Sequence, residues 1–154
     1  MLHKIFLITA SLPLLYAPGY AGEIGEISGD WQTVKHGAAV KIQDCGDTTP
    51  CGYLLSAPDA VAAGEQHDIR NPDRNLRDRP LSGLPLLWGY SKAQTHWKSG
   101  RLYNPETGQT FRSSMELISP TKLKVKGCMG PFCRSQIWTR ITSNTSNTEL
   151  SRHD

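Results

Sequence analysis

The sequence predicts an all-β domain of about eight short antiparallel strands, interrupted by one long crossover. Three observations carry this. Apolar and polar residues alternate with a period of two through most segments after residue 30, as strands with one buried face require. Most of these segments are joined by hairpin-sized turns that contain Gly, Pro or Asn. One connection, from about Ala57 to Gly83, is much longer than the others. Connections of that length in a compact domain are often lids or binding segments. A series of short strands of this kind builds a sandwich or a closed barrel.

The chain has 154 residues, which suits one domain. It begins MLHKIFLITASLPLLYAPGYA. Lys4 precedes an apolar run from Ile5 to Leu15, and the small residues Gly19 and Ala21 flank Tyr20. This is the order of a secretory signal peptide cut after Ala21. A membrane anchor is the alternative, but the run is short of the roughly 18 residues a spanning helix needs and Pro13 interrupts it. The expected organisation is a signal peptide at 1–21, a β domain at 22–142 and a disordered tail at 143–154, with the mature protein periplasmic or secreted. The tail, SNTSNTELSRHD, is polar and unpatterned and carries a glycosylation sequon at Asn144.

The chain has 17 Lys and Arg against 14 Asp and Glu. Loss of Lys4 with the signal peptide leaves sixteen against fourteen, a formal +2. That balance argues neither for nucleic acid nor for an anionic membrane surface. No membrane insertion is expected after signal removal. Four cysteines in an oxidising compartment read as a disulfide framework. Cys45 and Cys51 bracket one Gly- and Pro-containing loop, and Cys128 and Cys133 another, so the expected bridges are Cys45–Cys51 and Cys128–Cys133. A zinc site is the alternative, but the spacings are not those of a zinc knuckle. No metal and no cofactor is expected.

The elements follow in order. DWQTVKHGAAVKIQDC gives two short strands broken at His36-Gly37, with Val40 and Ile42 alternating with Lys41 and Gln43. CGYLLSA gives a third strand. LPLLWGY reads as a buried strand with Pro85 near its start. GRLYNPETGQTFRSSMELI reads as strand, turn, strand. Phe111, Met115 and Leu117 share one face, and Arg112 and Glu116 the other. In SPTKLKVKGC, Leu123 and Val125 alternate with Lys122, Lys124 and Lys126, a half-buried strand with a lysine-lined outer face. CRSQIWTRIT closes the series.

The crossover contains RNPDRNLRDRPLSGLPLL. A short helix is expected in NPDRNLRD, with Asn71 as its cap and Pro72 at the first helical position, ending before Pro80. Leu76 and Leu81 are apolar residues in a polar segment, placed to anchor it. Pro72, Pro80 and Pro85 lower the entropy of the unfolded chain, and Gly83 permits a bend. These features predict an ordered cover over one barrel opening rather than a loose linker, which would be richer in Gly and Ser. Arg70, Arg74, Arg77 and Arg79 are interleaved with Asp68, Asp73 and Asp78. Surface ion pairs are one reading. In a second, Arg77 or Arg79 pins the segment to strand-end carbonyls. In a third, an arginine meets an anionic ligand head group.

NPDRNLRDRPLSGLPLL, GRLYNPETGQTF, LKVKGC and CRSQIWTR together resemble a family of small exported bacterial proteins, domain of unknown function 2147. The resemblance runs from about Asp30 to Ile141. It implies a lipocalin-like antiparallel barrel open at one end, and it carries over no established reaction. Gly29-Asp30-Trp31 is similar to the Gly-x-Trp that opens the first lipocalin strand. The resemblance further implies an arginine near the last strand packed on Trp31, with Arg140 the match and Arg134 the competitor.

No catalytic constellation is visible. There is no glycine-framed nucleophilic serine and no HExxH helix. His67, His36 and His96 lack an arranged partner in the sequence, and DRNLRD lacks the glycine and closing glutamate of a calcium loop. The expected function is binding of a small, largely apolar ligand in the barrel. Inward-facing Trp88, Tyr103, Phe111 and Met115 are the pocket candidates, with Arg77 and Arg79 above them. The alternative is a cell-envelope interaction module whose barrel is filled by side chains. An enzyme ranks third. Oligomeric state is not legible.

Overall fold

The period-two alternation seen in the sequence becomes nine strands in the computed structural model, which describes residues 24–142. The segment expected to be a signal peptide, 1–21, and the expected tail at 143–154, with its sequon at Asn144, lie outside the described residues. The strands are β1 (Gly29–Gln32), β2 (Ala39–Asp44), β3 (Pro50–Ser56), β4 (Pro85–Trp88), β5 (Ser91–Lys92), β6 (Trp97–Asn104), β7 (Gln109–Ser119), β8 (Lys122–Met129) and β9 (Phe132–Arg140). Eight of them close a ring in the order β4-β3-β2-β1-β9-β8-β7-β6, with β6 paired back to β4. The two-residue β5 adds to β6 outside that ring. Every pairing is antiparallel. Closure removes the sheet edges.

Register decides which residues face inward. Phe111 pairs with Leu102, and Leu102 with Leu87, while Met115 pairs with Val125 and Leu123 with Trp138. These are the buried or half-buried positions of their strands. Two glycines make room for large side chains inside the ring. A Cβ on Gly100 would lie 2.3 Å from the Tyr90 ring, and one on Gly52 would lie 2.6 Å from Leu87 Cδ1.

One end of the barrel is closed by helix α1 (Ile24–Ile27), whose Ile27 is buried and accepts from the Trp31 indole N–H at 2.9 Å. Trp31 is fully buried, and the Arg140 guanidinium stands 4.2 Å over its ring. Arg140, not Arg134, is therefore the arginine on the tryptophan. Both disulfides form as their loops require, Cys45–Cys51 in the β2–β3 turn and Cys128–Cys133 across the β8–β9 hairpin. The zinc alternative falls with them.

The crossover is ordered, and more regular than the sequence shows. It contains helix α2 (Pro58–Ala62), which has Pro at its start, and a 3-10 turn at Arg74–Leu76. The expected cap at Asn71 is displaced. Asp73 caps the turn by accepting from the Asn75 N–H at 3.0 Å. Asn71 sits two residues too early: its Oδ1 accepts from the Asp73 N–H at 2.9 Å, ahead of the turn, while its Nδ2 donates to Asp68 at 2.7 Å. Backbone bonds tie the segment together, Asp68 N–H to Arg79 O and Leu81 N–H to Gln66 O. Gly83 N–H donates to Leu54 O and Leu54 N–H to Leu84 O, which seats the end of the crossover on β3. Leu81 is buried, as its anchoring role predicts.

Candidate functional site

At the other end the loops after β1, β3, β6 and β8 surround a cavity of about 450 Å³. This lies within the roughly 300–1,000 Å³ usual for small-molecule sites. Its wall is apolar, with Val40, Leu54, Leu102, Phe111, Val125 and Trp138. The barrel is thus packed in its closed half and open in its upper half, so the filled interior of the alternative reading does not hold. Gly127 also lines the cavity. A side chain there would project toward Leu102 and Phe111, whose nearest atoms lie 3.4 and 3.5 Å from its Cβ position. Gln136 turns a polar group inward, and its Oε1 accepts from the Trp138 indole N–H at 3.2 Å. This fixes the ring against the wall.

The rim is polar. Lys35, His36, Glu65, Glu106 and Arg134 line it. His36 sits at a left-handed backbone position, φ 61°, which costs a non-glycine residue energy and is tolerated where the surroundings hold it. What holds it is visible. Nδ1 is 3.0 Å from Asp59 Oδ2 on α2, and Nε2 is 3.1 Å from Glu106 Oε1 in the β6–β7 turn. One side chain thus ties three loops together across the mouth. No local pattern marks this, since the partners are remote in the chain.

Crossover residues Ala57, Ala60, Glu65, His67 and Leu81 line the cavity, so the segment forms one wall of the mouth. Its attachment centres on Asp68, which is fully buried. Oδ1 accepts from the Tyr103 hydroxyl at 2.6 Å, and Oδ2 from Asn71 Nδ2 at 2.7 Å and Arg79 Nη2 at 2.9 Å. On the far side, the Arg70 carbonyl would lie 1.9 Å from a Cβ on Gly108, so the β6–β7 turn meets the crossover backbone to backbone.

The six pocket candidates divide. Tyr103 and Phe111 line the cavity. Trp88 does not. It follows the fully buried Leu87 on β4, so alternation turns it outward, and it is 37% exposed. Met115 is fully buried in the packed half, opposite Trp97 and Val125, and does not reach the cavity. Arg77 and Arg79 serve the crossover itself. Arg77 Nε donates to Asn71 O at 2.8 Å, a loop carbonyl rather than a strand end, and Arg79 binds Asp68. Neither lines the cavity.

Two buried phenols set the alkaline behaviour. Burial raises the Tyr90 hydroxyl well above the usual tyrosine range, against the opposing hydrogen bond to Ser113. Burial raises Tyr103 as well, reinforced by its hydrogen bond to Asp68 and that residue's charge. A phenol with a higher pKa in the fold than in the unfolded chain contributes stability that is complete below the unfolded pKa of about 10 and drains away as pH rises toward the folded value. The urea midpoint is therefore expected to hold to about pH 9 and fall above about pH 10. Tyr103→Phe should flatten part of the fall. A midpoint unchanged at about pH 11 would contradict the burial of both phenols.

The solved structure titled "Protein HP1028 from the human pathogen Helicobacter pylori belongs to the lipocalin family" is similar in fold. The TM-score is 0.66 at 22% identity, covering 77% of this chain and 84% of that one. The likeness establishes a lipocalin-like barrel. No curated protein matches the chain. Two disulfides and a bacterial family accord with an oxidising, exported setting. The family model described as "Uncharacterized protein conserved in bacteria (DUF2147)" matches residues 29–140, and the chain belongs to that family, domain of unknown function 2147.

Proposed function

We propose that this protein is an exported, periplasmic or secreted binder of a small, largely apolar molecule held in the upper half of the barrel, and not an enzyme. The observation that carries the reading is the cavity of about 450 Å³ with its apolar wall and polar rim. Burial of apolar ligand surface supplies the affinity, at about 25 cal/mol per Å² before the costs of association. The rim fixes which end of the ligand stays in water. Export rests on the signal-peptide pattern of residues 1–21 and accords with the disulfides.

Native mass spectrometry of protein recovered from its host's periplasm tests the reading directly, by a bound adduct of small mass. Occupancy of the cavity is tested by Gly127→Leu. The added side chain takes up cavity volume, and its Cβ would sit at ordinary van der Waals distance, 3.4 Å or more, from Leu102 and Phe111. Binding of N-phenyl-1-naphthylamine, a neutral fluorophore, is expected to weaken about tenfold or more, as the loss of a buried apolar contact of this size predicts. The melting temperature should stay near that of the unsubstituted protein. Equal fluorophore binding by both proteins would place the ligand elsewhere.

A further inference from the structure

The near-neutral charge of the chain hides an uneven distribution. Between Trp97 and Arg140, the span of β6 to β9, eight Lys and Arg stand against two acids, Glu106 and Glu116. Alternation puts Arg112, Lys124 and Lys126 on the outer face of these strands, all in partly or fully exposed positions. Arg101 lies directly opposite Arg112 across the β6–β7 ladder. Like charges in that relation destabilise a sheet, so the face keeps its cations against a structural cost.

The same strands end at the mouth in a hydrophobic tip. Phe132 is 81% exposed and Met129 46% exposed. They form the last pair of the β8–β9 hairpin, immediately above the Cys128–Cys133 bridge. Arg112 Nη2 donates to the carbonyl of Gly130 in the turn at 2.8 Å. The tip is therefore a braced projection rather than a loose loop. Arg112, Arg134 and Lys126 lie within three residue steps of it along the strands, about 10 Å at strand rise. The acids are occupied. Glu116 is farther along β7 and 3.6 Å from Lys124 Nζ, and Glu106 belongs to the His36 clasp across the mouth.

We propose that this end of the barrel docks on an anionic lipid surface. Phe132 and Met129 enter the boundary between head groups and acyl chains, and the surrounding arginines and lysines meet the lipid phosphates. A soluble anionic polymer would satisfy the cations but offers nothing to an exposed phenylalanine; a lipid surface satisfies both. Met129 and Phe132 also line the cavity, so its mouth would open at the membrane. The docking does not depend on the cavity being occupied, since every group it uses is on the surface.

The test is co-sedimentation of the mature protein with vesicles of phosphatidylethanolamine and phosphatidylglycerol, against vesicles of phosphatidylcholine alone. Binding to the anionic vesicles only, falling as salt shortens the Debye length from about 10 Å to about 3 Å, is the expected result. Phe132→Ser should reduce that binding about tenfold or more, the loss expected for one buried phenylalanine. Arg112→Gln with Lys126→Gln should reduce it too and weaken its salt dependence. If the Arg112 substitution disturbs the turn, Lys126→Gln with Arg134→Gln makes the same test. Absence of binding to anionic vesicles at low salt overturns the proposal. So does equal binding by Phe132→Ser, which would make the contact purely one of charge. Light scattering without lipid supplies the last arm. A dimer that Phe132→Ser dissolves would give the tip to a second copy of the chain, while a monomer leaves it to the lipid.

Discussion

Asp68→Ala is expected to destabilise the fold by about 3 kcal/mol or more and to release the crossover from the barrel. The residue has no exposure, yet its carboxylate accepts from three donors of different origin. Two of them, Asn71 and Arg79, belong to the crossover, and Tyr103 belongs to β6. Alanine would leave the phenol and the Asn71 amide buried without an acceptor, each costing about 1–3 kcal/mol. It would also remove the counter-charge of Arg79, whose Nε is already buried without a partner. The Arg79 side chain keeps 35% exposure, so water relieves part of its loss, and the total belongs at the lower end of the range for breaking a buried pair. Asp68→Asn should fall between, since it can still accept from Tyr103 but sets an amide or a weaker acceptor against the guanidinium. Urea unfolding measures the loss. Amide exchange across residues 66–84 locates it, with protection like that of the strands in the parent protein and fast exchange in Asp68→Ala. A loss below about 1 kcal/mol, or unchanged exchange, would mean the segment is held by something else.

The strands were legible because single residues alternate. Val40 and Ile42, Phe111, Met115 and Leu117, and Leu123 and Val125 each mark a face without tertiary information. The disulfides were legible because each loop is too short for its ends to separate. The position of Trp88 is ambiguous for a related reason. It ends a run of three large apolar residues, Leu86-Leu87-Trp88, in which no polar neighbour marks the face, so either phase fits the sequence. The glycines opposite Leu87 and Tyr90 that choose the phase lie in other strands. Asp68 was illegible because its sequence surroundings, acids interleaved with arginines, are also those of a solvated surface. Its burial comes from packing against Tyr103, 35 residues away. The His36 clasp joins three loops and leaves no local trace. The basic face was visible residue by residue in β8, but a whole-chain charge count averaged it against the acid-rich first half.

Arg140→Ala is the second large loss expected, and it separates the closed end of the barrel from the mouth. The guanidinium uses all three nitrogens. Nε donates to Pro120 O at 2.7 Å, Nη1 to Ser28 O at 2.6 Å, and Nη2 to Glu26 O. Its face lies 4.2 Å from the Trp31 ring. One side chain thereby joins α1, the start of β1, the β7–β8 turn and the end of β9. Burial lowers its pKa, the mark of a desolvation cost that offsets part of the gain. The contact over a buried ring is worth about 2 kcal/mol, and hydrogen bonds from a charged donor about 1.5–3 kcal/mol each. After desolvation, a net loss of about 3 kcal/mol is reasonable, or roughly 10 °C or more in melting temperature for a domain of this size. Arg140→Lys should recover little, because an ammonium cannot hold three divergent carbonyls and stack at once. Gly29→Ala offers an independent route to the same damage. Gly29 has φ +128°, and a Cβ there would sit 2.7 Å from Arg140 Nη1, so the substitution both strains the backbone and displaces the arginine. Arg134→Ala is the control, since that arginine lines the cavity instead and should change stability by no more than about 0.5 kcal/mol. Equal melting of Arg140→Ala and Arg134→Ala would show that the closed end is held by α1 and the strand ladder without the arginine.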